Sequence, residues 1–359
     1  MDRMYAIGID YHKRYSQMTV MEKDGTIVKE GKVANRPEAV KEFLGSYEGE
    51  AQAAVEATLN WTVIFDMVEE LLGEGQVKLC HASKARAIAE ARIKTDTLDS
   101  RALAHLLRTD LLPEAHVRPK KERAIQQALR QRMFFVRVQT MVKNRIHVLI
   151  DRQVTVRETA QGFTDLFGKA GMEFLRAVEL PGPERELLDG ELALLEAVRE
   201  RIAESNALIH ELAEGDPRVP LVESIPGLGS FFSVLVAKEI GEVERFASPE
   251  KLCSYAGLVP SVHASGGRSY TGRITKQGNK WLRWALVEAV APAIRTDAGL
   301  RGYYERIKRR KGVNSAKVAT ARRLLTIVYR CLKENRVYEE RLPGVEYGHK
   351  SVRTAFSCP

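Results

Sequence analysis

Apolar and polar positions alternate in short runs over the first third of the chain and then switch to helical spacing. Apolar stretches at residues 5–9, 17–21 and 27–33, with Asp24-Gly25 turn chemistry between the second and third, predict three consecutive strands in a meander. Pro37 suits a first helical turn, so a helix is expected after it. A strand at 52–55, a helix from about 61 to 72, a strand at 77–80 and helical segments through Leu107 complete an α/β region over residues 1–115. From Lys120 to Asp151 no Gly or Pro interrupts a long helical pattern. A second long helix is predicted over about 184–213, where Leu188, Leu195, Ile202 and Ile209 recur at sevenfold spacing beside Leu192 and Leu212. That seam fits a coiled coil between chains and equally an intramolecular hairpin of the two long helices, because heptads alone do not fix the partner. Residues 116–216 thus read as a helical assembly region.

From residue 217 the pattern changes again, and a mainly helical domain is expected over 217–341. Val222-Glu-Ser-Ile-Pro-Gly-Leu-Gly229 leads into an apolar helix at 231–240, which has the shape of a helix-hairpin-helix turn. Such a corner can present backbone N–H groups to a phosphate, or can be plain packing. Residues 255–268 read as a loop of small residues continuing to Asn279, before a basic helix near Lys280 and an amphipathic helix over 316–334. Residues 342–359 read as a flexible tail.

Three acids stand out against this pattern, with a fourth less firmly placed. Asp10 ends the apolar run Met4-Tyr-Ala-Ile-Gly-Ile-Asp10, and Glu56 ends Ala53-Ala-Val-Glu56, although Glu69, Glu70 and Glu74 follow nearby. Asp96 and Asp99 sit three apart in Lys94-Thr-Asp-Thr-Leu-Asp-Ser100. An ionised carboxylate inside an apolar strand is costly unless paired or metal-bound. Asp96 and Asp99 could also cap or decorate a helix. Strand, strand, strand, helix, strand, helix, strand, helix is the element order of RNase H-like domains, in which acids sit on the first strand, the fourth strand and the last helix. Together these acids suit Mg2+ or Mn2+, since hard cations take carboxylates plus phosphate oxygens. Two such ions can stabilise both oxygens of an in-line phosphoryl displacement.

Charge changes the picture of the C-terminal third. The net charge is +9, but residues 1–115 carry 15 basic against 19 acidic side chains while residues 217–359 carry 25 against 12. Between Lys251 and Lys333 there are 18 basic residues and 3 acidic ones, which predicts a nucleic-acid surface rather than a merely solvated face. Arg268, Arg273, Lys276, Lys280 and the cluster Lys308, Arg309, Arg310 and Lys311 are its candidate contacts. Ser265 lies between Ala264 and Gly266-Gly267, where the backbone lets a hydroxyl approach a phosphate, yet Ser-Gly pairs also mark ordinary turns, and Ser261 and Ser269 are equally nucleophilic in isolation. No apolar run is long enough to span a bilayer, so no membrane partner is expected. Four scattered cysteines and the absence of a basic-then-apolar start predict a reducing, cytoplasmic setting.

The motifs Ile7-Gly-Ile-Asp-Tyr-His-Lys13, Val55-Glu-Ala-Thr58, Lys94-Thr-Asp-Thr-Leu-Asp99, Ile225-Pro-Gly-Leu-Gly229 and the run from Tyr255 through Ser265-Gly266 to Gly278-Asn279 occur in order over nearly the whole chain. Together they resemble the DEDD transposases of bacterial insertion sequences, the IS one-ten family of bridge-RNA-guided recombinases. The resemblance implies a RuvC-like N-terminal domain, a coiled-coil middle and a C-terminal domain with a serine nucleophile. It also implies a tetramer around a noncoding guide RNA that pairs with target and donor DNA. By motif, Asp10, Glu56, Asp96 and Asp99 match the four acids and Ser265 the serine. The function expected is RNA-guided recombination of an insertion sequence, with Mg2+ (or Mn2+) held by the carboxylates. Two rivals stay open: a RuvC-like junction nuclease that uses water and leaves no covalent adduct, and a non-catalytic nucleic-acid scaffold.

Overall fold

The computed structural model describes residues 5–82, 84–85, 95–265 and 268–339. They form two units, residues 1–119 and residues 120–359. The proposed tail at 342–359 and residues 86–94, part of the stretch expected to hold helical segments through Leu107, lie outside the described residues.

The first unit is built on a six-stranded mixed sheet. Its strands are β1 (Tyr5–Tyr11), β2 (Tyr15–Glu22), β3 (Ile27–Ala34), β4 (Ala51–Glu56), β5 (Val77–Cys80) and β6 (Glu114–Ala115), in the spatial order β3-β2-β1-β4-β5-β6. The meander predicted from alternation is present: β1 pairs antiparallel with β2 and β2 with β3. β4 joins the other edge of β1 in parallel, with Ile9 opposite Val55. The two-residue β6 pairs antiparallel with β5 and is too short to be read from periodicity.

The twofold alternation of strand side chains gives the sheet two different faces. Ile7, Ile9, Met18, Val20 and Val55 form one core with Val40 and Leu44 of α1 (Pro37–Leu44) and Ile64, Phe65 and Val68 of α2 (Thr62–Leu72). Fully burying each such side chain stabilises by roughly 1.5–3 kcal/mol. The opposite face is lined by small residues, Ala6 and Ala54, together with Cys80, and it receives Leu103 and Leu107 of α3 (Asp96–Arg108). Gly8 explains the close seating of α3. A Cβ at that position would lie 1.9 Å from the carbonyl oxygen of Ser100 and 2.5 Å from the backbone nitrogen of Ala104. Thr19 and Ser100 share a buried hydroxyl–hydroxyl hydrogen bond of 2.8 Å across the same contact.

The second unit begins with α4 (Lys120–Asp151), followed by α5 (Val154–Gln161), α6 (Lys169–Ala177) and α7 (Gly182–Ala213). α4 and α7 pack against one another as a hairpin. Leu188, Leu192 and Leu195 of the heptad seam are buried with Val142, Ile146 and Ile150 of α4, and Ile209 is buried with Ile125, Leu129 and Met133. Of the remaining seam positions, Ile202 is half-buried and Leu212 is exposed. The intramolecular alternative therefore accounts for most of the sevenfold pattern.

The rest of this unit comprises α8 (Arg218–Glu223), α9 (Ser230–Ile240), α10 (Pro249–Tyr255), β7 (Pro260–Ser265), β8 (Arg268–Ile274), α11 (Lys280–Thr296), α12 (Ala298–Lys311) and α13 (Val313–Lys333). α8 and α9 flank the Pro-Gly corner. Gly227 adopts φ +85° there, and a Cβ would meet the carbonyl oxygen of Ala289 at 2.3 Å, so the corner is pressed onto α11. The segment read as a small-residue loop is instead partly a hairpin, with β7 antiparallel to β8 and Ser265 opposite Arg268. Small residues at Ala264 and Ser265 mask a strand that turn chemistry on either side makes look irregular. No helix among the described residues is long and apolar enough to cross a membrane.

Candidate metal centre and nucleic-acid surface

Asp10 is the penultimate residue of β1 and only 7% exposed. It follows Ala6 and Gly8 on the face toward α3, by the twofold period of the strand. Glu56 ends the parallel neighbour β4 and is half-buried. Asp96 and Asp99 occupy the first turn of α3, whose cap is Thr95, its hydroxyl accepting from the backbone N–H of Leu98 at 3.2 Å. Acids in a first helical turn are favoured by the helix dipole, so the fold itself supports this pair. Asp10 and Glu56 thus stand at the carboxyl ends of adjacent parallel strands, where open α/β sheets place their ligand crevices.

Asp10 and Asp96 do come together, and a residue not assigned from sequence joins them. His12 Nε2 lies 3.1 Å from Asp10 Oδ2 and 3.3 Å from Asp96 Oδ2. One ligand atom from each of Asp10, His12 and Asp96 lies within 4.8 Å of the others. Tyr15 donates its hydroxyl to Asp96 Oδ2 at 2.9 Å, and its ring lies 4.9 Å from that of His12. The sequence shows only that His12 follows Asp10 by two; what makes it a site residue is its approach to Asp96 on α3, which spacing does not reveal.

Burial pushes the Asp10 carboxyl above its ordinary value; the charge of His12 opposes this, and the charges of Asp99 and Asp96 reinforce it. Asp96 is held below its ordinary value, chiefly by the Tyr15 hydroxyl. Glu56 makes its electrostatic presence felt at Cys80, whose thiol burial pushes up to about 11 with Glu56 adding to the shift. Asp99 enters through its repulsion of Asp10, whereas Glu56 is not among the groups acting on that carboxyl. This donor set fits a hard divalent cation: a buried carboxylate crowded by like charges is relieved by positive charge, and its oxygens suit Mg2+ or Mn2+. The His12 imidazole adds a softer nitrogen donor.

The other predicted residues lie in the second unit. Ser265 ends β7; its side chain, like those of Arg268 and Arg273, lies outside the described residues. Lys276 is exposed at φ +54°, and Lys280 is the exposed first residue of α11. Lys308, Arg309, Arg310 and Lys311 form the exposed last turn of α12, where cations complement the helix dipole. Lys308 pairs with Glu305 at 3.0 Å, and the exposed setting of that pair leaves it little net worth.

A buried polar network underpins this unit. Lys238 and Arg218 pair with Asp216 Oδ2 at 2.7 and 2.8 Å, and Arg218 reaches Glu122 at 3.3 Å. Burial raises the Asp216 carboxyl, but donation from Arg218 and Lys238 outweighs it and holds the group well below the usual range. Glu239 Oε2 accepts from Gln126 at 3.1 Å and from Asn279 at 2.7 Å. Asn279 in turn caps α11, its Oδ1 accepting from the backbone N–H groups of Trp281 and Leu282 at 3.0 Å each.

Acids at the carboxyl ends of the central strands β1 and β4, followed in the chain by a helical unit rich in basic side chains, are features that a transposase of the DEDD class would need. The DEDD transposase family model of the IS110 type, described as "Transposase", matches residues 7–181, and the model described as "Transposase IS116/IS110/IS902 family" matches residues 219–305. The chain belongs to the IS110/IS116/IS902 family of transposases. Among its relatives is a "Probable family 20 transposase" of Pseudomonas aeruginosa, 26% identical over 253 residues, which are 68% of this chain and 74% of that protein. The "Transposase for insertion sequence element IS1111A" of Coxiella burnetii is 29% identical over 39% of each chain. A "Pilin gene-inverting protein" of Moraxella bovis is 33% identical over 38% of this chain and 43% of its own. The match to the insertion element IS110 protein of Streptomyces coelicolor spans 38% of that protein's length.

Proposed function

We propose that this chain is the recombinase of an insertion sequence, cutting and rejoining DNA strands with the carboxylates of an RNase H-like, RuvC-like first unit and a serine of the second. The observation that carries the proposal is the meeting of Asp10 with Asp96 and His12 at the end of β1 in a chain that matches both family domains. The sheet order β3-β2-β1-β4-β5, with β2 antiparallel to both neighbours and α3 laid over β1, supports the RNase H-like reading.

Asp10 and Asp96 would hold Mg2+ or Mn2+, with Asp99 and Glu56 completing the acidic rim. When bound, the ions supply Lewis-acid stabilisation of charge on the scissile phosphate. The Ser265 hydroxyl oxygen would displace a deoxyribose oxygen from phosphorus, losing its proton while the departing oxygen gains one. The resulting phosphoseryl ester conserves the bond for rejoining. Arg268, Arg273, Lys276, Lys280 and the Lys308–Lys311 turn would neutralise phosphates of the DNA and of a noncoding guide RNA. Relatives named for transposition and for gene inversion support a reaction that rejoins what it cuts.

An outward seam supports self-association. Phe134, Met141 and Val148 on α4 and Leu187, Leu194 and Leu208 on α7 are exposed and repeat at multiples of seven. These two stripes would bring second copies onto the hairpin, building the expected tetramer. The test of the whole reading is strand exchange on a supercoiled plasmid carrying the element with its flanks. Asp10→Asn should abolish product while leaving binding intact, and wild-type product in EDTA would overturn the proposal.

A further inference from the structure

In the second unit, a line of aromatic rings and cations runs along α9, α11 and the middle of α4. The guanidinium of Arg132 lies 3.9 Å from the Phe231 ring centre, Phe231 is 5.6 Å from Phe232, and Phe232 is 5.3 Å from Trp284. One helical turn before Trp284, Trp281 is faced by Arg137 at 5.3 Å and by Lys280 at 5.0 Å. Phe231, Phe232 and Trp281 are half-buried and Trp284 is 36% exposed, so the rings keep accessible surface. Phe231, Phe232 and Trp281 pack against the core of this unit on one side, and core packing alone does not account for the cations set over Phe231 and Trp281 or for the exposed Trp284 beside them.

The mount is rigid. Arg132 Nε donates to Asn206 Oδ1 at 3.0 Å, which fixes its guanidinium over Phe231. Asn279 caps the turn that begins with Lys280 and Trp281, and is itself held by Glu239. On α11 the acidic neighbour of the line is the exposed Glu288, one turn beyond Trp284. The remaining charges named along the line, Arg132, Arg137 and Lys280, are positive.

We propose that this line is a platform for single-stranded nucleic acid, its rings stacking unpaired bases while Arg132, Arg137 and Lys280 neutralise the adjoining phosphates. The contacts of 5.6 and 5.3 Å at 56° and 68° are tilted ring-on-ring packing, which turns the outer faces of adjoining rings in different directions, so that a strand with splayed bases can lay one base on each outer face. A duplex keeps its bases stacked on one another and cannot use these faces, so the chemistry selects unpaired DNA or RNA. Aromatic stacking tolerates any base, which suits a chain whose sequence choice is made by pairing. The inference deepens the nucleic-acid side of the recombinase reading but does not depend on the acids of the first unit.

The experiment uses the full chain with Trp61→Phe, which leaves Trp281 and Trp284 as the fluorophores of its three tryptophans. Titration with twenty-nucleotide oligo(dT) or oligo(U) should quench the emission. Trp284→Ala should weaken binding of these oligonucleotides about tenfold and Trp284→Phe should restore most of it. Arg132→Gln should reduce the salt slope by about one. Circular dichroism and Tm of each variant separate lost binding from lost folding, and Phe232→Leu gives an independent ring deletion. Tighter binding of oligo(U) or of oligo(dT) identifies the strand as RNA or DNA, and either result supports the platform. Wild-type oligonucleotide affinity in folded Trp284→Ala and Phe232→Leu, or equal competition by a duplex for the tryptophan signal, overturns it. Asp10→Asn should keep the quench, so failure of the cleavage chemistry and failure of the platform give different results.

Discussion

His12 Nε2 bridges Asp10 Oδ2 at 3.1 Å and Asp96 Oδ2 at 3.3 Å, tying the end of β1 to the first turn of α3. Two carboxylates this close, one of them buried, need a positive partner. Asp10→Asn or Asp99→Asn should therefore abolish strand cleavage while nucleic-acid affinity stays within about twofold, because affinity is dominated by phosphate contacts made elsewhere. Electrophoretic binding and plasmid-cleavage assays on the same preparations separate the two. A cleavage-competent Asp10→Asn chain would remove the acids from the chemistry.

His12 itself distinguishes a ligand from a bystander. His12→Ala should weaken Mn2+ binding, read by titration calorimetry, by roughly 10–100-fold, the range expected when a ligand or its immediate support is lost. An effect under twofold would reduce His12 to a packing partner for Tyr15.

Most of the first unit was legible in the sequence because its longer elements each express one period, the two-residue β6 being the exception. Alternation marks β1 to β3, Pro37 opens α1, and the acids fall at element ends where burial changes. His12 was not legible as a site residue, since its role comes from α3 crossing β1, and the sequence carries that crossing only as Gly8. The heptads on α7 were legible as a seam but not as to partner: Leu188 and Leu195 turn inward to α4, while Leu187 and Leu194, one position before each, stay outside. The β7–β8 hairpin was hidden by small residues that lack strand propensity. The aromatic line was invisible because Arg132, Phe231 and Trp284 meet only in the folded unit.

Gly8 carries a stability prediction that is also a test of the site. Any Cβ there meets α3 backbone, which has no rotamer to yield. Gly8→Ala should destabilise the first unit by about 3 kcal/mol through overpacking, visible as a lower urea midpoint. It should also lift the first turn of α3 from β1 and weaken Mn2+ binding. A variant as stable as wild type would mean that α3 does not seat this closely.

Asp216 sets a pH dependence. Its folded carboxyl lies below the ordinary value of 3.8, so the unfolded chain takes up the proton first as acidity rises. The stabilisation is whole above that ordinary value and is lost as pH falls below it toward the depressed folded value. Asp216→Asn should cost roughly 3 kcal/mol at pH 7 by leaving Arg218 and Lys238 without their shared carboxylate. Urea midpoints of the two proteins should keep a constant gap at pH 7 and 5 and draw together at pH 3.5 and further at pH 2. Parallel curves would show that the network does not titrate with folding.

Ser265 separates recombination from hydrolysis. On a nicked substrate that cannot rejoin, a serine nucleophile traps a protein–DNA adduct that survives a denaturing gel and maps by mass spectrometry to the peptide around Ser265. Attack by water leaves none. Ser265→Ala should remove both the adduct and the recombinant product without lowering Tm, since the change deletes a single hydroxyl at the end of β7. Ser261→Ala and Ser269→Ala should retain both activities, which fixes the choice among the three serines of this hairpin. If Ser265→Ala recombines at the wild-type rate, the serine mechanism is wrong and the four acids alone carry the chemistry.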